Sequence, residues 1–338
     1  MKKDVIHTYA AYNKNEKIRI NSSSGGVFTL LAEFVLNDGG IVYGVAMSND
    51  CYSNNFERVC NTEDLKKLRG SKYIQAKMGS VYNDVSKDLK KGIKVLFSGT
   101  GCQINGLKCF LQKDYDNLFC VDIVCHGVPS QKVWKKYVES IETERGKLES
   151  INFRSKELGW IDFGLKENEL FVPKDSNSFF QFFNRCYCLR PSCYCCTAKD
   201  DKRSDITIAD FWGIENILPE LSDDKGVSLV LIRTNKGDTV FQSVKDKMYF
   251  KEVSYEEGIR ENSSEYISHD RPCERDIFFS DLERMSIKQL ENKYIKVPMW
   301  KRVGRKVKRT IKKILGGVPQ IKQRTNADYG MLLTFKKR

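Results

Sequence analysis

The sequence predicts an α/β protein with a mainly parallel central sheet and flanking helices, followed by a smaller mixed α+β lobe and C-terminal helices. From about residue 24, apolar runs of strand length alternate with amphipathic stretches of helix length, which is typical of strands joined by crossover helices. Near residue 150 the pattern changes to short alternating segments, which indicates antiparallel strands.

The first half of the chain is predicted to alternate regularly. In order, we expect a helix over 27–36, a strand over 40–47, helices over 62–68 and 80–91, a strand over 94–99, a helix over about 103–113, a strand over 118–125 and a helix over 130–144. The apolar runs KVLFSG and LFCVDIVC within this series are expected to be buried strands.

The second half mixes short strands, a cysteine-rich loop and helices. We expect antiparallel strands over 151–174, a helix from about 178, a loop over 186–196, strands over 205–213 and 227–234, and mainly helices to about 295. A length of 338 residues favours two lobes. The predicted division is an α/β lobe over 1–148, a second lobe with the cysteine-rich loop over 149–295, and a basic tail over 296–338.

Composition excludes several classes of protein. With 41% hydrophobic and 30% charged residues, the chain is typical of a globular protein, and no run approaches the roughly 18 apolar residues of a membrane-spanning helix. The N-terminal segment lacks the apolar core of a secretory signal, so we expect a cytoplasmic protein. In that reducing compartment, twelve cysteines favour metal binding or redox chemistry over disulfides.

The net charge of +13 is concentrated in the tail. Residues 301–338 carry +12, which leaves about +1 for the preceding 300 residues, so the body gives no support for nucleic-acid binding. Residues 300–315 have the pattern of a basic amphipathic helix. That pattern favours an anionic membrane surface, at the inner face of the membrane, or an acidic partner; packing against the body is the alternative.

Two cysteines follow predicted strands. Cys102 comes just after the strand over 94–99, and Cys125 ends the strand over 118–125. If the helix between them is a standard crossover, the strands run parallel and both thiols lie at the same edge of the sheet. That edge is where α/β proteins bind cofactors.

A second pair, Cys193 and Cys196, lies in the loop RCYCLRPSCYCC. The C-x-x-C spacing allows two thiolates to converge on one metal or cluster, although Cys186, Cys188 and Cys195 are close enough in sequence to compete. Four thiolates suit either tetrahedral zinc or an iron–sulfur cluster. Because zinc is usually held by two C-x-x-C pairs, the single cysteines at strand ends favour iron–sulfur.

Three short segments are candidates for binding phosphate. Ser24-Gly25-Gly26 precedes an apolar helix, where backbone N–H groups and the helix dipole favour anions. Gly99-Thr100 ends a strand, and Lys72-Tyr73 adds a cation and an aromatic ring. Each segment alone has an ordinary alternative as a helix cap, a tight turn or a solvated loop.

Taken in order, a set of motifs resembles the coenzyme F420 hydrogenase/dehydrogenase beta-subunit family over about residues 5–235. They are SSSGGVFTLLAEFVL, GGIVYGVAM, LRGSKYIQAKMG, VLFSGTGCQINGLKCFL, YDNLFCVDIVCHGVPS, INFRSKELGW, LRPSCYCC and SDITIADFWGIE. The resemblance implies FAD and a [4Fe–4S] cluster. By motif position, it implies that the cluster ligands are Cys102, Cys125, Cys193 and Cys196. It also implies a flavin near Ser24, Gly25, Gly26, Lys72, Tyr73, Gly99 and Thr100.

The sequence departs from the family pattern at two places. Many members begin with a ferredoxin-like segment rich in C-x-x-C repeats, whereas the first cysteine here is Cys51. We therefore expect either a separate protein as electron donor or acceptor, or a protein whose redox role has been lost. The proline that usually follows Gly-Thr is Gly101 here, which allows a looser turn before Cys102.

The motifs are most similar to bacterial members found among polysaccharide-biosynthesis proteins. The resemblance thus implies a flavin- and [4Fe–4S]-dependent oxidoreductase in polysaccharide biosynthesis, which moves electrons between a hydride carrier or substrate and a redox partner. The alternative is a non-enzymatic module, stabilised by zinc or a cluster, that docks glycan-assembly enzymes at the membrane. The sequence predicts no catalytic acid or base.

The histidines and two carboxylates give weaker indications of a functional role. His126 adjoins Cys125 and is a candidate for hydrogen bonding to the cluster or for proton transfer, with a buried structural role as the alternative. His269 has no partner pattern and is expected to be structural or exposed. Asp205 and Asp210 flank a strand near the cysteine loop, where they orient backbone or flavin groups or cap turns.

Overall fold

A computed structural model describes residues 5–295, so the predicted tail helix over 300–315 lies outside the described residues. Within residues 5–295 the chain forms a nine-stranded mixed sheet, a three-stranded antiparallel sheet and ten α-helices, which confirms the predicted α/β class. Over the same range, no helix is both long and apolar enough to span a lipid bilayer.

The elements follow the order that the sequence pattern predicts over most of the chain. The strands are β1 (His7–Asn13), β2 (Ile41–Met47), β3 (Asn54–Val59), β4 (Ala76–Lys77), β5 (Val95–Thr100), β6 (Leu118–Ile123), β7 (Ile151–Ser155), β8 (Gly164–Glu167), β9 (Leu170–Pro173), β10 (Ile206–Asp210), β11 (Ser228–Ile232) and β12 (Met248–Glu252). The helices are α1 (Glu16–Ile20), α2 (Val27–Asn37), α3 (Val81–Lys90), α4 (Gly101–Leu111), α5 (Gln131–Arg145), α6 (Ser178–Asn184), α7 (Asn235–Val244), α8 (Tyr255–Ile259), α9 (Arg275–Arg284) and α10 (Ile287–Tyr294).

The large sheet has a parallel centre and antiparallel flanks. Its strand order is β12-β1-β11-β10-β6-β5-β2-β3-β4. The four central strands β10, β6, β5 and β2 run parallel to one another, as a sheet built from crossover helices requires. Strands β1, β11 and β12 add antiparallel pairs on one side. On the other side β3 adds one antiparallel pair, and the edge strand β4 pairs with β3 in parallel.

Alternation along the central strands explains why both faces of the sheet are covered. In β5, Leu96 packs with α2 on one face, whereas Val95 and Phe97 pack with α3 and α4 on the other. In β6, Val121 and Cys120 divide between the faces in the same way. Successive side chains of a strand point to opposite faces, so an unbroken apolar run is buried on both sides.

Strands β1 and β12, like β3 and β4, are absent from the sequence prediction, which placed mainly helix in the region of β12. Both strands depend on partners far along the chain, because β1 pairs with β11 and with β12. The predicted boundary near residue 148 stays a prediction. The large sheet takes strands from both sides of that boundary, since β10, β11 and β12 all follow it.

The predicted crossover between β5 and β6 is confirmed. The two strands pair in parallel, with Thr100 opposite Ile123 at their carboxyl ends. Helix α4 begins directly after β5, and reciprocal hydrogen bonds between Thr100 and Gln103 form a capping box at its start. Gly101 is the first residue of this helix, so Cys102 lies in its first turn. This arrangement positions Cys102 and Cys125 at the same edge of the sheet.

A candidate metal centre beside a cofactor-sized cavity

All four predicted cluster ligands line one small cavity at this edge. Cys102 comes from the first turn of α4, and Cys125 follows β6. Cys193 lies in a short 3-10 helix over Pro191–Cys195, and Cys196 lies between that helix and the next one. The fold therefore brings together thiols that are up to 94 positions apart in sequence.

The electrostatics of these thiols fit a bound metal. Burial raises the pKa of Cys125 to about 12, and negative charge on Cys193 and Cys102 adds to the shift. Burial also raises the pKa of Cys193, with further contributions from Cys102 and Cys196. Without a metal, these two thiols therefore favour the protonated form, and a bound metal ion or cluster would stabilise them as thiolates.

Hydrogen bonds hold two of the cysteine segments in place. The Val128 N–H donates to Cys193 Sγ at 3.4 Å, a contact that favours negative charge on the sulfur. Lys199 Nζ donates to the carbonyl oxygen of Cys125 at 3.0 Å. The positive end of α4 also favours negative charge on Cys102.

The three other cysteines of the loop do not line this small cavity. Cys195 is exposed, although it lies between two residues that line the cavity. Cys186 and Cys188 are buried, and burial raises the pKa of the Cys186 thiol to about 11. The geometry thus separates them from the four predicted ligands.

A much larger cavity of about 860 Å³ adjoins the small one. Its volume lies within the range of roughly 300–1,000 Å³ that is usual for small-molecule and cofactor sites. Six of the seven predicted flavin-site residues line it: Ser24, Gly26, Lys72, Tyr73, Gly99 and Thr100. Thr100, Cys102, Cys125 and His126 line both cavities, so the two sites share a wall.

Gly25 is the predicted residue that does not line the large cavity. It packs against the sheet, and an added Cβ would lie 2.4 Å from the Ala11 carbonyl oxygen and 2.8 Å from the Ser228 nitrogen. Its N–H donates to Ser228 Oγ at 3.0 Å. Close packing therefore explains this glycine, and its N–H is already paired.

Arg154 is a buried cation in the cavity wall that sequence reasoning did not nominate. It donates two hydrogen bonds to Asp210, at 2.7 and 3.0 Å, and one to the Tyr73 hydroxyl at 3.2 Å. Its guanidinium lies 3.8 Å from the centre of the Phe163 ring, and its Nε is buried without a partner. The available signal was a charged residue that directly follows Phe153 in the predicted strand β7.

Asp210 and Asp205 have separate roles. Asp210 lines the cavity, pairs with Arg154 and accepts a hydrogen bond from the Trp160 indole at 2.8 Å. Asp205 is buried away from the cavity, where it accepts from the backbone of Cys120 at 2.8 Å. The first arrangement fits the predicted role in orienting site groups, and the second is structural.

Lys72 supplies a titratable cation to the cavity wall. Its ammonium donates to the carbonyl oxygens of Arg69 at 2.8 Å and Gly70 at 3.2 Å. Burial lowers its pKa from 10.5 to about 7, so that both charge states are accessible near neutral pH. An anionic ligand would favour the charged state.

We expect Lys72→Met to flatten the pH dependence of stability between about pH 7 and 10.5. In that window the unfolded chain keeps the Lys72 proton that the folded chain has released, so the free energy of unfolding rises with pH. Urea unfolding at a series of pH values measures this slope, with the exposed Lys77→Met as the matched control. An unchanged slope in Lys72→Met would contradict the proton release.

The histidines form a pair that the sequence did not reveal. His126 and His269 both line the large cavity, with ring centroids 3.9 Å apart and planes inclined by 38°. The expectation that His269 is structural or exposed missed this position. Burial lowers the pKa of His126 to about 4. The residues are 143 positions apart, and no local pattern connects them.

The fold and the two adjoining cavities define an α/β protein with a cofactor-sized cavity beside a four-cysteine site. The chain belongs to the coenzyme F420 hydrogenase/dehydrogenase beta-subunit family. Residues 8–83 match the N-terminal model of that family, and residues 92–258 match its C-terminal model. The resemblance predicted from the motifs is therefore confirmed at the level of the family.

Two relatives illustrate this membership. The coenzyme F420-dependent sulfite reductase of Methanocaldococcus jannaschii is 24% identical over 238 residues, which cover 68% of this chain and 36% of the relative. This chain thus matches about a third of that protein. A chain in a xenon-derivatised structure of the F420-reducing [NiFe] hydrogenase complex from Methanosarcina barkeri has a TM-score of 0.54 and 19% identity. The match covers 78% of this chain and 89% of that one, and shows a shared fold.

Proposed function

We propose that the protein is an oxidoreductase that binds FAD in the large cavity and a [4Fe–4S] cluster at Cys102, Cys125, Cys193 and Cys196. The observation that carries the proposal is the shared wall between the two cavities. When bound, a flavin supplies hydride chemistry and a cluster supplies single-electron transfer. Occupants of these two cavities would be adjacent, as electron transfer between them requires.

The residues of the large cavity suit a nucleotide cofactor. Lys72 and Arg154 provide positive charge, and Tyr73 provides an aromatic edge. The loop with Ser24 and Gly26 leads into α2, whose N-terminus favours phosphate groups.

The relatives support redox chemistry more strongly than any particular substrate. Their descriptions name an F420-dependent sulfite reductase and an F420-reducing hydrogenase complex. The second description concerns a multi-protein complex, which supports a separate redox partner for this chain. A substrate from polysaccharide biosynthesis rests on the sequence resemblance alone, and membrane association rests on the pattern of residues 300–315.

The proposal is tested by the cofactor content of protein purified without oxygen. We expect iron and acid-labile sulfide in equal amounts, bound flavin, and bleaching of the visible absorption by dithionite. Stoichiometric zinc without iron or flavin would overturn the proposal. It would instead support the alternative, a zinc-stabilised module without redox activity.

A further inference from the structure

A second group of potential metal ligands lies beside the large cavity, and its two histidines line the cavity wall. His126, Cys186 and His269 place one potential ligand atom each within 4.8 Å of the others. His126 Nε2 lies 3.4 Å from Cys186 Sγ. Cys186 is 7% exposed, and both histidines are partly buried. None of these three residues belongs to the four-cysteine set.

The spacing suits ligands of a tetrahedral ion. Zinc–nitrogen bonds of about 2.0 Å and zinc–sulfur bonds of about 2.3 Å place neighbouring nitrogen and sulfur ligands roughly 3.5 Å apart. The distance between His126 Nε2 and Cys186 Sγ is close to that value. Two imidazoles and one thiolate are also a ligand set that zinc and related ions accept.

Neighbouring groups already orient the ligands. Ser264 Oγ lies 2.9 Å from His269 Nε2, and a polar partner of this kind fixes the ring of a metal-binding histidine. The His126 and Phe183 rings pack in an edge-type arrangement, with centroids 4.7 Å apart. Cys186 itself has a left-handed backbone, with φ of 60°, a conformation that costs energy in a residue other than glycine.

We propose that His126, Cys186 and His269 bind one divalent transition-metal ion of the zinc class at the wall of the large cavity. Three protein ligands leave the fourth position of a tetrahedral ion open. Because both histidines line the cavity, that position is available to water or to an oxygen or nitrogen donor of a bound ligand. The site would be separate from the four-cysteine centre, although His126 is next to Cys125.

The same contacts have a simpler interpretation as a packed cluster. A thiol can hydrogen-bond to an imidazole, and two neutral imidazoles can stack without a metal. The two interpretations predict different orientations of the two imidazole rings. Ligands of one ion direct their nitrogens to a common point, so metal binding would adjust the inclination of the two rings, which is 38° here.

The experiment compares metal contents of the full chain, purified without oxygen from cells supplied with zinc. We expect one zinc per wild-type chain in addition to iron. Cys186→Ser and His269→Gln should each lose the zinc and keep the iron. Cys102→Ser should show the converse, with iron lost and zinc retained. Cys188→Ser, which removes a neighbouring buried thiol, is the matched control and should keep both metals.

Cobalt provides an independent readout of the thiolate ligand. In iron-loaded protein, whose four-cysteine site is occupied, added cobalt should give a thiolate-to-metal charge-transfer band in the difference spectrum that is absent in Cys186→Ser and present in Cys188→Ser. Zinc retained in both Cys186→Ser and His269→Gln would overturn the proposal, as would wild-type protein with no zinc. Iron and flavin, measured in the same samples, test the proposed oxidoreductase separately, so the two ideas can fail independently.

Discussion

Cys196→Ser is expected to remove most of the iron from protein purified without oxygen, whereas Cys195→Ser should leave the iron content unchanged. The two cysteines are adjacent, but Cys196 lines the small cavity and Cys195 is exposed. Loss of one thiolate leaves a cubane cluster with an incomplete ligand set. Iron and sulfide analysis, with the visible absorption spectrum, measures the effect.

This pair of variants controls for general damage to the cysteine-rich loop, because each substitution replaces one sulfur atom by oxygen in the same loop. Cys102→Ser extends the test to a ligand from another element, and it should lose iron to a similar extent. Iron lost from Cys195→Ser but retained in Cys196→Ser would reverse the ligand assignment. Iron unaffected by Cys102→Ser would restrict the site to the loop.

Asp210→Ala is expected to destabilise the protein by about 3–5 kcal/mol, because it leaves a buried guanidinium without its partner. The side chain of Arg154 is 3% exposed and that of Asp210 is 15% exposed, so the ion pair is largely desolvated. The same change would release Trp160, whose indole donates to Asp210. Denaturant unfolding, followed by tryptophan fluorescence, measures the free energy of unfolding.

Asp201→Ala is the matched control, since it breaks an ion pair on the surface. Arg203 and Asp201 have side chains that are 44% and 53% exposed, and such a pair contributes at most about 1 kcal/mol. Equal decreases in the free energy of unfolding of the two variants would show that the Arg154–Asp210 pair is not desolvated in solution. Flavin content, measured on the same Asp210→Ala protein, reports whether the cavity depends on this pair.

The local sequence pattern was sufficient to predict much of the fold. Helix α2 and strands β5 and β6 were predictable because their periodicity depends on side chains within one segment. Strand β12 was not, because its sequence MYFKE has four exposed residues out of five. Its strand conformation depends on pairing with β1, more than 230 positions away, and no local pattern records that partner.

For the candidate site, the sequence determined the residue types and their placement at element ends. The predicted strand ends placed Cys102 and Cys125 at one edge of the sheet, and the C-x-x-C spacing nominated Cys193 and Cys196. The combination of all four into one site was implied by the family resemblance. The choice of Cys196 over Cys195 came from the family resemblance, and the cavity lining is consistent with it.

Tertiary structure alone decided which distant side chains meet. Arg154 with Asp210, and His269 with His126 and Cys186, come from different elements, and neither group has a characteristic spacing in the chain. Buried charges must be paired, and buried polar atoms must find hydrogen-bond partners. These partners are close in three dimensions, and they have no regular spacing in the sequence. The thiols at the strand ends were therefore predictable, and the cations and imidazoles around them were not.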